Sequence, residues 1–294
     1  MAKVNTLLDG TLNAVPATIR GLRLASELRD LREAATLSMR EAATRIDVTE
    51  RTIQRIEGAQ TVPREALLRR MLAVYNADST KTGALLELRR EAKIGGWWVD
   101  YDDVRTGIYV ELEENARKVR SYQGTAVPAL LQTEEYAAAA VSAVLGDRPD
   151  NARILELRSE RRTRFNRRAQ ELHVILDEAV LRRAVGGPEV MLNQVGYVAK
   201  MAQLPHITVQ VVPFTVGAHV GMAGSFVLMD FEDAQYPQVI YVETRAGDLY
   251  PTGKVIESGF NIDWRALTQL ALSPKDTAAF LAELIKEWSG GTGT

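Results

Sequence analysis

Thr49, Glu50, Arg51, Thr52, Gln54 and Arg55 place six hydrogen-bonding side chains in seven positions, interrupted only by Ile53. These are the residue types that read base edges. An arginine fork binds guanine O6 and N7, a glutamine amide binds adenine N6 and N7, and a glutamate accepts from cytosine N4. Ser38, Arg40 and Arg64 stand at the ends of neighbouring segments, where a hydroxyl or a guanidinium can hold a backbone phosphate. An idle, solvated helix face has the same composition, so the surrounding pattern must decide between the two.

Other groups of reactive side chains carry less. The stretch 153–168 holds seven arginines against two glutamates. Arg161, Arg162, Arg164 and Arg168 in it can add phosphate contacts, bind an acidic partner protein, or form a helix face with local ion pairs. Glu243, Arg245 and Asp248 in "VETRAGDLY" are candidates for a polar ligand site where a strand ends, or for a charged turn. His173, His206 and His219 lack metal-ligand spacing, "GAHVG" (217–221) lacks the helix and Lys-Ser/Thr of a phosphate loop, and there is neither a cysteine nor a G-x-S-x-G elbow. No catalytic residue, metal or cofactor is expected.

The elements that must position the 49–55 cluster are short helices. In 22–34, Leu24, Leu28 and Leu31 recur at helical spacing. Ser38 and Glu41 make a Ser-x-x-Glu capping box for "MREAATR", and Thr49 caps "ERTIQRIE", which Gly58 stops. Between the two, Asp47 takes the turn position that needs a positive φ, which Asp tolerates. Ala43 is small where the helices must touch, and Val48, Ile53 and Ile56 form the apolar side. Two more amphipathic helices, 64–76 and 80–93, complete a compact five-helix unit. A small residue, a turn, a cap and an apolar face in this order make a helix-turn-helix, whose second helix enters the major groove of DNA.

"KIGGWWVDYDD" (93–103) reads as a hinge, with its two tryptophans packed at a domain junction. Beyond it, 109–122 and 133–145 read as helices split by a turn at Gly124 and Pro128, followed by the arginine-rich helix. "ELHVILD", "HITVQVVPF", "GSFVLMDF" and "QVIYVETRAG" read as strands, 188–204 as a helix, and "SPKDTAAFLAELIKEW" as a terminal helix. The expected organisation is an arm over 1–20, an all-α DNA-binding head over 21–95, a linker over 96–105 and a mixed α/β body over 106–290, α+β overall.

The net charge of −2 conceals an asymmetry: residues 1–95 carry 16 Lys+Arg against 12 Asp+Glu, and the remainder 20 against 26. A basic head on an acidic body suits a polyanion partner. No apolar run approaches the ~18–20 residues of a membrane span, the N-terminus lacks a signal-peptide pattern, and the absence of cysteine fits the cytoplasm.

Leu37-Ser38-Met39-Arg40-Glu41-Ala42-Ala43, Ile46-Asp47-Val48-Thr49 and Ile53-Gln54-Arg55-Ile56-Glu57-Gly58 resemble the XRE-type (Cro/repressor-like, lambda-repressor-like) helix-turn-helix domain, with Met39 replacing a glutamine and Asp47 the turn glycine. "VPALLQTEEYA" (127–137), "LDEAVLRRAVGGPEVM" (176–191), 207–231 and "VIYVETRAGDLY" (239–250) resemble the C-terminal domain of WhiJ-like actinomycete regulators. That resemblance implies transcriptional regulation, often paired with a small acidic protein encoded nearby, in an antitoxin-like arrangement. The expectation is therefore a cytoplasmic homodimer on a double-stranded operator, its body sensing a protein partner or a ligand. The rival is a hydrolase-like enzyme in the body, tethered to DNA by the head.

Overall fold

The computed structural model describes residues 19–91, 97–104, 108–168, 170–232, 238–245 and 247–290. The head is built from α1 (Ile19–Ala34), α2 (Met39–Ile46), α3 (Glu50–Glu57), α4 (Glu65–Val74) and α5 (Ser79–Glu91). The leucines of α1 at helical spacing meet Ala43, Ile46, Ile53, Ile56, Leu68 and Met71 in one dry cluster. The expected capping box is present: Glu41 N–H donates to Ser38 Oγ, and Ser38 N–H donates to Glu41 Oε2 at 2.9 Å. Asp47 adopts φ 61°, ψ 60°, so α2 ends in the left-handed conformation expected of it. Residues 1–18, most of the expected arm, lie outside the described residues.

Residues Trp97–Val104 form 3-10 turns held against α8 (Asn151–Arg168), with Arg164 over the Trp97 ring at 4.5 Å and Arg153 over Tyr101 at 4.2 Å. The body that follows is a six-stranded mixed sheet in the order β3-β2-β1-β4-β5-β6. Its strands are β1 (Lys118–Gln123), β2 (Glu171–Asp177), β3 (Ile207–Val212), β4 (Phe226–Asp230), β5 (Val239–Thr244) and β6 (Gly247–Leu249). β1, β2 and β3 are parallel; β4, β5 and β6 add antiparallel. Crossovers through α7 (Glu134–Leu145) with α8, and through α9 (Glu178–Arg182) with α10 (Pro188–Met201), supply the helices that parallel pairing requires. One sheet face, with Val119, Val174, Val209 and Met229, packs in a core shared with α6 (Tyr109–Asn115), α10 and α12 (Pro274–Gly290). The other, with Tyr122, Ile175 and Leu228, is covered by Trp264 and Leu267 of α11 (Lys254–Leu270).

Two departures from the sequence reading stand out. The segment 109–122 is not one helix: α6 ends at Asn115, Ala116 is extended, and β1 begins at Lys118. Residues 118–123 alternate Lys-Val-Arg-Ser-Tyr-Gln, and β1 is hydrogen-bonded on both sides, to β2 and to β4. Pairing of a central strand overrides the helical bias of its long polar residues. α11 and β6 were unassigned in the sequence. Among the described residues no helix is long and apolar enough to cross a membrane.

Candidate nucleic-acid interface

α3 is eight residues long and is held by both ends and its inner face. At its start Thr49 is extended, its Oγ1 accepting from Thr52 N–H at 3.2 Å. Ile53 and Ile56 are fully buried. At its end, Glu57 is only 2 % exposed, an unusual place for a carboxylate at the finish of a surface helix. Arg32 of α1 resolves this: its Nε donates to Glu57 Oε1 at 2.8 Å and its Nη2 to Oε2 at 2.9 Å, a bidentate pair buried at both ends. The Glu57 hydrogen bond, more than the neighbouring charges, holds the Arg32 guanidinium above its usual pKa. Arg32 Nη1 also donates to the Leu37 carbonyl, and Arg29 Nη2 to that of Glu57. Helix α3 is thus pinned to the scaffold from beneath. Glu57 stands in the family-like motif, but nothing local to Arg32, 25 positions earlier in the chain, marked it as the partner.

The outer face of α3 is different. Thr49, Glu50, Arg51, Gln54 and Arg55 are exposed, and Thr52 is half-buried. Ser38, Arg40 and Arg64 are exposed as well, Ser38 at the N-cap of α2 and Arg64 at that of α4. Among the described residues, Arg40, Arg51, Arg55 and Arg64 make no side-chain hydrogen bond or ion pair. Arg45 and Arg70 share that state, whereas Arg69, Arg89 and Arg90 are engaged. A guanidinium with all five donors open, on a helix fixed in direction, is a receptor for phosphate or base edges.

The other candidate groups are placed as follows. Arg161 donates to both oxygens of Glu113, at 2.8 Å each. Arg162 donates to the Gln132 carbonyl and Glu134, Arg164 to Glu160, and Arg168 to Glu114. The face weighed for an acidic partner is occupied by the chain's own carboxylates, as in the ion-paired alternative. Glu243 and Asp248 face each other across the β5–β6 hairpin, Asp248 accepting from Tyr241 Oη at 2.9 Å, while Arg245 is exposed at its turn. The histidines remain apart, and among the described residues no group of three His, Asp or Glu is placed for a metal. "GAHVG" is nevertheless a built loop: His219 Nε2 lies 3.3 Å from Asp177 Oδ2, and Gly221 lies so close to the phenol end of Tyr122 that a Cβ would meet it at 2.3 Å. Burial, then the charge of Asp177, pushes the Tyr122 hydroxyl up to about 12. A groove of about 240 Å³ between α10, α12 and β3 is lined by residues such as Ala199, Val209, Ala278 and Ile285, with no charged side chain.

Comparison with known proteins divides the chain in the same way. Residues 23–88 match the model of a helix-turn-helix domain, and residues 107–283 match that of a domain of unknown function, DUF5753. No curated protein and no solved structure matches the chain. Because the second match spans more than half of its length, the chain belongs to the family defined by the DUF5753 domain, joined here to an N-terminal helix-turn-helix head.

Proposed function

We propose that the chain is a sequence-specific DNA-binding transcriptional regulator that inserts α3 into the major groove. The observation that carries this reading is the outer face of α3: Arg51, Gln54 and Arg55 are exposed on a helix whose inner face and C-terminal end are locked by Ile53, Ile56 and the Arg32–Glu57 pair. Arg51 lies in the first turn, where base contacts are made in this geometry. Arg40, Arg64 and Ser38 flank it as phosphate contacts. A single eight-residue helix contacts few base pairs, so the protein works as a homodimer on half-sites about 34–36 Å apart. The body dimerises and receives the signal, without catalysis. Asp177–His219 is the one close His–carboxylate contact among the described residues; it has no hydroxyl hydrogen-bonded to His219, and Asp177 also caps α9. The resemblance to WhiJ-like regulators supports a cytoplasmic, antitoxin-like role beside a small acidic protein.

Selection of the full-length protein against a random duplex library tests this. Enrichment of a two-fold symmetric site is expected. Enrichment no better than for bulk DNA, with the protein folded, refutes it.

A further inference from the structure

Arg158, in the middle of α8, differs from most of the helix's arginines; among the described residues, exposed Arg167 is the other one that holds no carboxylate. The guanidiniums around it, Arg161, Arg162, Arg164 and Arg168, each hold a carboxylate. Arg158 holds only an amide: its Nη1 donates to Gln132 Oε1 at 2.8 Å. That amide is itself fixed, because Gln132 is buried and its Nε2 donates to the Val127 carbonyl at 2.7 Å. Among the described residues no carboxylate forms an ion pair with Arg158, and nothing engages its Nε or Nη2. Glu243, exposed on β5, acts on it only across a gap. Loss of water, and then the neighbouring charge of Arg161, pull its pKa down. Arg158 is half-buried, so its charge is only partly hydrated and has no anion beside it, and an arriving anion would relieve part of that cost.

A run of tyrosines stands beside it. Tyr109 lies under Arg161 at 5.2 Å, Tyr241 packs on Tyr109 at 4.4 Å, and Tyr250 packs on Tyr241 at 5.5 Å. The Tyr250 hydroxyl, on a residue 4 % exposed, has no hydrogen-bond partner. Burial raises the pKa of Tyr241 and Tyr250, so both hydroxyls stay protonated; Tyr241 donates its proton to Asp248, and that of Tyr250 is free to donate. A planar guanidinium edge, a free phenol and aromatic faces suit a small organic anion.

We propose that Arg158, with Gln132 and the Tyr109–Tyr241–Tyr250 wall, forms a binding site for a small carboxylate- or phosphate-bearing molecule, with Glu243 as the resident negative charge that the ligand must overcome. The site has a route to the head. α6 carries Tyr109 and Glu113 into this cluster. Its Ile108 cap and Leu112 enter the core that also takes Leu22 and Ala25 of α1 and Ala59, just past the end of α3. That the ligand alters DNA binding rests on the preceding reading; the binding itself does not.

Calorimetric titration of the full chain with benzoate and with inorganic phosphate, against chloride at matched ionic strength, tests the proposal. Saturable binding of one of them is expected, and which one tells carboxylate from phosphate. Arg158→Gln should weaken it by about tenfold to a hundredfold, the loss of charge-assisted hydrogen bonds. Glu243→Gln, an exposed change with no bearing on folding, should tighten it several-fold. No saturable binding of either anion, binding unchanged in Arg158→Gln, or binding unchanged or weakened in Glu243→Gln overturns the proposal. Should Arg158→Gln fail to fold, Glu243→Gln decides alone. DNA binding is titrated separately without anion, so that its failure counts against the regulator reading and leaves this site standing.

Discussion

Glu57→Ala isolates the contact that aims the recognition helix. The substitution removes the two carboxylate acceptors of Arg32, a residue only 6 % exposed, and leaves it buried with the Leu37 carbonyl and a 3.6 Å approach to exposed Glu33. Removing one partner of a buried pair costs about 3–5 kcal/mol, mostly because the remaining charge is stranded. The two residual acceptors place Glu57→Ala at the lower end, about 3 kcal/mol. For a unit the size of the head that corresponds to roughly 12–24 °C in midpoint. The double variant Arg32→Met, Glu57→Leu removes the stranded charge with the pair and should recover most of the loss, since apolar replacement of buried pairs is often neutral or better. Urea unfolding followed by hydrogen exchange of peptides covering 50–57 reads the head specifically, because all four tryptophans lie outside it, at positions 97, 98, 264 and 288. A loss under about 1 kcal/mol in the single variant, or a double variant as unstable as the single, refutes the view that a buried ion pair holds α3.

Three further outcomes are expected. Asp47→Gly should be neutral or stabilise by up to about 1 kcal/mol in thermal melts, since glycine takes φ 61° without the left-handed penalty of an L side chain, whereas Asp47→Val should destabilise. Gly221→Ala would put a Cβ 2.3 Å from the fully packed Tyr122 ring, so a loss of about 1–3 kcal/mol and faster exchange over 213–224 are expected. Burial holds His173 below its ordinary pKa, against a weaker opposing effect of its 2.8 Å bond to Gln210. The unfolded chain therefore takes up that proton first as pH falls. The stability from neutral His173 is present above about pH 6.5 and is lost as pH drops from there through the folded pKa. His173→Gln should flatten the acid limb of a stability-against-pH profile, and an unchanged limb contradicts the assignment.

The head was legible because its signals are local. Capping box, Thr49 cap, Asp47 turn and Gly58 stop all sit within four residues of the geometry they dictate, and each is found where expected. β2 was legible from its alternation, and β3, β4 and β5 as runs rich in β-branched and aromatic residues bounded by Gly or Pro. β1 was not, because Lys118, Arg120 and Gln123 mimic a polar helix, and their strand partners lie about 50 and 110 residues away. The exposed base-reading candidates could be named from residue type alone. What lies beneath them could not: the Arg32–Glu57 pair, the Asp177–His219 contact and the unpaired state of Arg158 depend on which distant segments meet. The arginine-rich helix shows the same limit, since its composition could not say which guanidiniums find carboxylates.

The most direct test of the account is titration of the selected operator with the full-length protein and with Arg51→Ala and Arg55→Ala, across several salt concentrations. Both side chains are exposed and unpartnered, so both variants should melt with the wild type. Loss of a bidentate base contact should weaken binding by about 1–3 kcal/mol and relax specificity at one position, as expected for Arg51 in the first turn. Loss of a phosphate contact should weaken all sequences alike and lower the salt slope by about one, the alternative outcome for Arg55. Wild-type affinity in both variants would mean that the outer face of α3 is idle surface, and the DNA-binding reading would fall with it.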